Sequence, residues 1–174
     1  MLQVQKNGIC QRIFTTLGLE GNILQKDEEE IEIGDKLLIN QDYLLMKKNP
    51  KVQQFLKKFI KSDKKTLFIK SPYDTGKTTL LKSLVPEFKR CLFISYRITL
   101  SNNLYGNFKN LNFEIYTNRC DTPKLICQVD SLRKIPEHMN YDVIIIDECE
   151  SILNHFSSAS LKDRLEIFQL FTSM

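Results

Sequence analysis

Several features are missing from this sequence, and each absence removes a class of protein. No apolar run approaches the roughly 20 residues that a membrane-spanning helix needs, so we expect no membrane partner. The amino-terminal segment Met1–Lys6 lacks the apolar core of a signal peptide. We therefore expect an intracellular protein, in the nucleus or the cytoplasm, that is not secreted. The five cysteines never form a Cys-x-x-Cys pair, which indicates reduced thiols.

Length and charge suggest one soluble domain with an uneven charge distribution. A chain of 174 residues can bury a real core, and a net charge of +4 is too small to indicate a polyanionic partner. Between Lys47 and Lys65, however, eight lysines stand against Asp63 alone. This stretch is either a solvated surface or a basic face for nucleic-acid phosphates, and the sequence leaves both interpretations open.

Hydrophobic periodicity divides the chain into two parts. Residues 1–35 form an N-terminal extension without a clear element, and residues 36–174 are predicted to form one domain. Strands are predicted at 37–39, 66–69, 91–95, 113–116, 125–127 and 142–147, and helices at 52–60, 77–85, 98–108 and 130–133. A capping box at 160–163 predicts a last helix, whose apolar face comprises Leu161, Leu165, Phe168 and Phe171. Strands that alternate with helices predict an α/β protein with a mainly parallel sheet.

A candidate phosphate-binding loop lies between a predicted strand and a predicted helix. Residues 71–79 read SPYDTGKTT and approach the pattern G-x-x-x-x-G-K-[ST], with Ser71 in place of the first glycine. Backbone N–H groups at a helix N-terminus favour anions. We expect Lys77 to contact the β- and γ-phosphates of ATP and the Thr78 hydroxyl to bind Mg²⁺. The expected nucleotide-binding residues of this segment are Ser71, Thr75, Gly76, Lys77, Thr78 and Thr79. The alternative is a plain loop before a helix.

A second candidate motif lies at the carboxyl end of the most apolar predicted strand. The segment 143–148 reads VIIIDE, and its β-branched run indicates a strand buried on both faces. Asp147 is expected to hold Mg²⁺ through its water shell, and Glu148 to orient or deprotonate the attacking water. The alternative is a helix N-cap followed by a first-turn acid. Together the two motifs predict an ATP–Mg²⁺ site with Lys77, Asp147 and Glu148 as catalytic residues.

Two further segments carry a family resemblance. Residues 91–100 (CLFISYRITL) resemble the second motif of superfamily-2 helicases, and residues 124–132 (KLICQVDSL) resemble the next one. With the two nucleotide motifs they make residues 37–174 similar to the herpesvirus-type replication origin-binding protein family. The resemblance implies a three-layer RecA-like P-loop NTPase domain of a DNA helicase that acts in replication. It also implies that the backbone of single- or double-stranded DNA is contacted by Arg97, Thr99, Gln128 and Ser131. The ordinary alternatives are a helix cap for Ser131 and a solvated charge for Arg97.

The sequence departs from that family pattern in two ways. Asp74 stands where family loops usually have glycine, and its carboxylate near phosphate would weaken nucleotide affinity. The later helicase motifs and the second RecA-like domain are not in this sequence, so we expect an incomplete domain that relies on such a domain or on replication proteins as partners. In such folds the strand after the Asp-Glu box usually separates the phosphate-loop strand from the Asp147 strand. Its absence would leave a gap, for which Leu37–Ile39 and Ile9–Phe14 are the candidate fillers.

Three functional hypotheses follow. The first is an ATP-binding, ATP-hydrolysing helicase module that does not unwind DNA alone, because translocation needs two domains. The second is a non-catalytic DNA-binding or regulatory remnant of such a helicase. The third is a small-molecule kinase with a phosphate loop, which would need a lid and a substrate pocket in place of the segment 128–132.

Overall fold

The computed structural model describes residues 2–6, 31–33, 36–38, 48–63, 66–69, 76–158 and 161–174. Its strands are β1 (Leu2–Lys6), β2 (Ile31–Ile33), β3 (Lys36–Leu38), β4 (Thr66–Ile69), β5 (Cys91–Ser95), β6 (Glu114–Ile115), β7 (Lys124–Gln128) and β8 (Val143–Asp147). Its α-helices are α1 (Pro50–Lys61), α2 (Lys77–Leu84), α3 (Ile98–Phe108), α4 (Cys149–His155) and α5 (Arg164–Ser173). Short 3₁₀ segments follow α2, α3 and β7, at Val85–Glu87, Lys109–Leu111 and Val129–Lys134.

A six-stranded sheet lies at the centre, in the order β4-β1-β8-β5-β7-β6. The neighbours from β8 to β6 pair in parallel, whereas β1 is antiparallel to both β4 and β8. Strand β4 therefore runs in the same direction as β8. The predicted α/β class with a mainly parallel sheet is confirmed.

The gap expected beside the Asp147 strand is filled by β1. Residues Leu2–Lys6 hydrogen-bond to β4 on one side and to β8 on the other. The prediction that Leu37–Ile39 could fill the gap is wrong, because Leu37 and Leu38 belong to β3, which pairs with β2 in a separate sheet. The other candidate, Ile9–Phe14, lies outside the described residues. The backbone groups of β4 and β8 are thus paired by a strand from the other end of the chain.

Helices cover both faces of the sheet, because the central strands are apolar on both sides. Along β8, Val143 and Ile145 enter one core cluster, whereas Ile144 and Ile146 enter the other. The first cluster holds the apolar faces of α1, α2 and α3. The second holds those of α4 and α5. This alternation is what a strand buried on both faces requires.

An aromatic triad anchors α3 in the first cluster. The ring centroid of Phe93 lies 4.8 Å from that of Phe108 and 5.6 Å from that of Phe113. Phe108 and Phe113 meet edge to face at 5.7 Å. All three rings are buried. The triad therefore ties the end of α3, and the chain leading into β6, to strand β5.

Two predictions at the carboxyl-terminal side are corrected. The capping box at 160–163 does not start the last helix, which begins at Arg164 with Asp163 as a left-handed N-cap whose side chain accepts no hydrogen bond from the first-turn amides. Leu165, predicted on the apolar face, is 71% exposed, and Ile167 is buried instead. Leu161 is buried as predicted, but it precedes the helix. Helix α4 was predicted only as the alternative interpretation of Asp147 and Glu148, and its N-cap is Glu148. The predicted helix at 130–133 is a 3₁₀ segment.

Among the described helices, none combines the length and the apolar character that a bilayer crossing requires.

Candidate nucleotide and DNA site

The strands that lead into or carry the four predicted motifs end at one edge of the central sheet. The motifs are residues 71–79, 91–100, 124–132 and 143–148. Strands β4, β5, β7 and β8 run in the same direction, so their carboxyl ends share an edge. In the pairing register, Leu2 lies opposite both Ile69, the last residue of β4, and Asp147, the last residue of β8. Ser95 pairs with Gln128 at the ends of β5 and β7. Crevices at the carboxyl ends of parallel strands are the usual ligand sites of such sheets.

The start of α2 has the geometry of an anion site. Gly76 adopts φ 84° and ψ 21°, a left-handed conformation that glycine reaches without steric cost, and it is the N-cap of α2. The Leu80 amide donates to the Gly76 carbonyl at 2.9 Å, which closes the first turn. Lys77 is half-buried, whereas Thr78 and Thr79 are exposed at this helix start. Ser71, Asp74 and Thr75 lie outside the described residues.

The second motif places two carboxyl groups at the end of β8. Burial raises the pKa of Asp147, the charge of Glu148 raises it further, and the Lys77 ammonium acts in the opposite direction. Of the groups that act on this pKa, Lys77 has the smallest effect. The structure brings together the helix start and the acidic strand end, which lie about 70 residues apart in the chain. The chemical roles of Lys77, Thr78, Asp147 and Glu148 stay predictions.

Glu148 has a strained backbone. Its φ of 54° and ψ of 54° lie in the left-handed region, which costs a residue with a side chain on the order of 1–3 kcal/mol. The Ser151 hydroxyl donates to Glu148 Oε2 at 3.4 Å. Glu148 is also the N-cap of α4. The sharp reversal turns the chain directly from β8 into α4, so the strain is located at the edge where the motifs meet.

Two of the four predicted DNA contacts are on the surface. Arg97 and Thr99 are exposed at the start of α3, and the guanidinium of Arg97 stacks over the Tyr96 ring at 4.8 Å. Beneath them the buried hydroxyls of Ser95 and Ser101 lie 2.6 Å apart and hydrogen-bond to each other. This bond fixes the start of α3 to the end of β5.

The other two predicted contacts are engaged within the protein. The Tyr116 hydroxyl donates to Gln128 Oε1 at 3.0 Å, and Gln128 Nε2 donates to the Tyr96 carbonyl at 3.3 Å. Ser131 is only 8% exposed. Gln128, which is half-buried, therefore holds the backbone beside Arg97, whereas Ser131 is buried and is not exposed with Arg97 and Thr99.

A link that sequence reasoning missed connects the segment after β7 to the helix after Asp147. His155 Nε2 and Asp130 Oδ1 lie 2.7 Å apart, which joins α4 to the 3₁₀ segment Val129–Lys134. The exposed pair of Arg133 Nη1 and Asp163 Oδ2, at 2.6 Å, joins the same segment to the start of α5. The partners are 25 and 30 residues apart in sequence. Local patterns carry no signal for such pairs.

The residues at this edge fit a nucleotide with a divalent cation. Across the described ranges, no cluster of three or more His, Cys, Asp and Glu side chains could hold a metal ion by itself. Mg²⁺ that accompanies a nucleotide does not need such a cluster, because phosphates and water supply most of its ligands. One carboxylate, Asp147, at the same sheet edge as a lysine and a glycine-capped helix start suits that arrangement.

The fold is an α/β sheet that carries a glycine-capped helix start and an acidic strand end on one edge, and such edges are the usual ligand sites of this broad class of α/β proteins. Comparison of sequences makes the class specific. The profile described as "Origin of replication binding protein" matches residues 43–174, and the chain belongs to this family. The resemblance predicted from the motifs is thereby confirmed.

Named relatives come from large viruses. The chain is 39% identical over 147 residues to the "Putative replication origin-binding protein" of Acanthamoeba polyphaga mimivirus, covering 71% of this chain and 18% of that protein. It is 37% identical over 150 residues to an "Uncharacterized putative helicase" of the same virus, covering 78% of this chain and 14% of that protein. The "Replication origin-binding protein" of Human herpesvirus 6B is 31% identical over 116 residues, covering 61% of this chain and 15% of that protein. The chain thus spans less than a fifth of each relative. No solved structure matches it.

Proposed function

We propose that this chain is an ATP-binding module of a DNA helicase that acts in viral-type DNA replication. The family membership supports a role in replication through DNA. One observation carries the finer proposal: Ile69, at the end of β4 and before the glycine-opened start of α2, lies across Leu2 from Asp147 at the end of β8.

The nucleotide part of the proposal rests on the chemistry of this edge. Backbone N–H groups of α2 and the Lys77 ammonium would receive the phosphates, and Thr78 and Asp147 would hold Mg²⁺. The bound cation supplies charge neutralisation for the phosphates. Glu148, strained and adjacent to Asp147, is the proposed base or water-orienting group. The fold of the module is proposed to be RecA-like.

The DNA part rests on the neighbouring strand ends. Arg97 and Thr99 are proposed to contact DNA phosphates, because both are exposed at the start of α3. Gln128 is proposed to act indirectly, since its amide holds the Tyr96 carbonyl. Origin recognition and unwinding belong to the longer relatives by name, and we propose that this module contributes to them with a second RecA-like domain or with replication proteins.

Titration of a fluorescent ATP analogue, with and without Mg²⁺, tests the nucleotide site. We expect saturable, Mg²⁺-stimulated binding by the wild-type chain and a loss of at least about tenfold in affinity for Lys77→Ala, which is about 1.4 kcal/mol. Lys82→Ala is the matched control, because Lys82 lies in the same helix but its ammonium donates to Asn107 Oδ1 at 3.1 Å. Asp147→Asn should retain weak binding but lose the Mg²⁺ stimulation, whereas the exposed neighbour change Glu150→Gln should not.

The same titration distinguishes the proposed ATP-binding module from the alternative, a non-catalytic DNA-binding remnant. Equal affinity for wild type and Lys77→Ala would contradict the proposed site. If the wild type binds DNA but no nucleotide, the chain is a non-catalytic DNA-binding remnant. A DNA-stimulated ATPase assay completes the test, since equal background rates in wild type and Lys77→Ala would remove hydrolysis from the proposal.

A further inference from the structure

Helix α1 presents a lysine stripe that the nucleotide site does not use. Its apolar stripe faces the first core cluster through the buried residues Val52, Leu56 and Phe59, with Phe55 and Ile60 packed beside them. At about 100° of rotation per residue, the opposite side forms an arc of about 120°. This arc is occupied by Lys51, Gln54, Lys57, Lys58 and Lys61, all of which are exposed.

The stripe carries strong charge of one sign. Residues 48–63 contain five lysines, and Asp63 is their single acid. From Lys51 to Lys61 the stripe extends about 15 Å along the helix axis, at about 1.5 Å per residue. Duplex DNA carries one phosphate charge per roughly 1.7 Å of axis, so a face of this length can meet several phosphates.

Helix stability explains only part of this pattern. Lys58 and Lys61 lie in the last turn, where cations interact favourably with the helix dipole. Lys51 lies in the first turn, where the dipole disfavours a cation, and that turn contains no acidic residue. The first turn is stabilised instead by Asn49, whose Oδ1 accepts from the Lys51 and Val52 amides at 2.9 and 3.2 Å. The helix dipole therefore accounts for Lys58 and Lys61 but not for Lys51.

We propose that the lysine stripe of α1 binds the phosphate backbone of duplex DNA. The stripe offers positive charge but no aromatic side chain on which a base could stack. Its exposed members are lysines and one glutamine, whereas Phe55 and Phe59 face the core. Single-stranded nucleic acid is usually bound with aromatic platforms on which bases stack. The charge and the missing platform therefore favour a duplex, contacted through its backbone and without base readout.

The carboxyl-terminal half of the stripe lies away from the motif edge. Residues 62–65 join the end of α1 to the start of β4, and the motif edge lies at the other end of that strand. A strand of four residues is about 13 Å long, so Lys57, Lys58 and Lys61 lie near the opposite edge. The inference rests on the proposed DNA role but does not require a working nucleotide site.

Fluorescence anisotropy of a labelled mixed-sequence duplex, measured over a range of salt concentrations with the full chain, tests the inference. The test variant is Lys57→Gln/Lys58→Gln/Lys61→Gln. The matched control, Lys89→Gln/Lys109→Gln/Lys162→Gln, removes the same charge from exposed lysines outside α1. A second variant with arginine at 57, 58 and 61 keeps the charge. A single strand of the same sequence is measured in parallel.

We expect the α1 variant to lose duplex affinity and to have a salt slope less negative by about 2–3, at about 0.9 per phosphate contact. The control and the arginine variant should match wild type. An equal change in the control would assign the effect to net charge and overturn the inference, as would an unchanged slope in the α1 variant. An equal loss on single strands would overturn the duplex assignment. Binding of the ATP analogue is measured on the same samples, so failure of the stripe and failure of the nucleotide site remain distinguishable.

Discussion

Leu2 pairs with Asp147 across the β1–β8 ladder, which joins the amino-terminal strand to the acidic end of the Asp147 strand. The same Leu2 is opposite Ile69, the last residue before the phosphate-loop segment. With strands about 4.8 Å apart, β1 sets a spacing of about 10 Å between the ends of β4 and β8. Strand β1 is therefore part of the frame that positions the proposed nucleotide site.

Breaking β1 should weaken both the fold and the proposed nucleotide site. Val4 is opposite Leu67 on one side and Ile145 on the other. Proline in a central strand removes a ladder donor, and we expect Val4→Pro to lose about 1–3 kcal/mol of unfolding free energy, together with affinity for the ATP analogue. Urea denaturation and analogue titration measure the two effects. Val4→Ile keeps the amide and should retain both, and wild-type behaviour of Val4→Pro would exclude a central place for β1.

Asp142 should stabilise the fold although it takes no part in the proposed chemistry. Its Oδ2 accepts hydrogen bonds from the Lys89 and Arg90 amides at 3.1 and 2.9 Å, which ties the turn before β5 to the start of β8. Asp142→Ala leaves these donors unpaired, so we expect a loss of about 1–3 kcal/mol in urea denaturation. Asp121→Ala is the comparison, because its bond to Arg119 is exposed. A loss as large for Asp121 as for Asp142 would contradict the argument.

The bond between His155 and Asp130 should couple the proposed nucleotide site to the proposed DNA-binding side. It connects α4, which follows Glu148, to the segment that follows Gln128. We expect His155→Ala and Asp130→Ala each to reduce DNA stimulation of ATP hydrolysis while leaving analogue binding without DNA unchanged. The double variant should be no worse than either single one, with a coupling energy of about 0.5 kcal/mol or more. The pair Arg133 and Asp163 provides the control cycle, and equal coupling in both cycles would remove the special role of His155.

Alkaline pH should destabilise the chain through its buried thiols and phenol. Burial raises the pKa of the Cys91 thiol from 9.0 to about 12, and it also raises the pKa of Cys127 and of Tyr141. Between 9.0 and about 12 the unfolded Cys91 loses its proton while the folded one keeps it. The stabilisation from Cys91 is therefore complete below pH 9.0 and is lost as pH rises, by about 1.4 kcal/mol per pH unit.

Urea denaturation at neutral pH and at about pH 10 measures this loss. Cys91→Ala should be less stable at neutral pH, because a buried side chain is truncated, but should show a shallower decline toward high pH. A decline as steep in Cys91→Ala as in wild type would assign the alkaline loss to other groups.

Much of the fold was predictable because local sequence patterns determine many of its strands and helices. Strand β5 and helix α3 have the predicted bounds, Cys91–Ser95 and Ile98–Phe108, since apolar runs and helical periodicity are local signals. The start of α5 was not predictable in the same way. Asp163 takes a left-handed conformation there, and the helix is rotated so that Ile167 faces the core in place of Leu165. Packing against the second core cluster outweighed the local capping signal.

The composition of the candidate site is a property of the sequence alone: glycine, lysine and threonine before an apolar helix, and two carboxylates after a β-branched strand. Tertiary structure decided how these parts meet. It inserted Leu2–Lys6 between β4 and β8, turned the Gln128 amide inward to Tyr96 and Tyr116, and joined His155 to Asp130. The physical reason is that backbone pairing and side-chain hydrogen bonds between distant segments depend on which surfaces the packed sheet leaves open, and periodicity within one segment does not encode that.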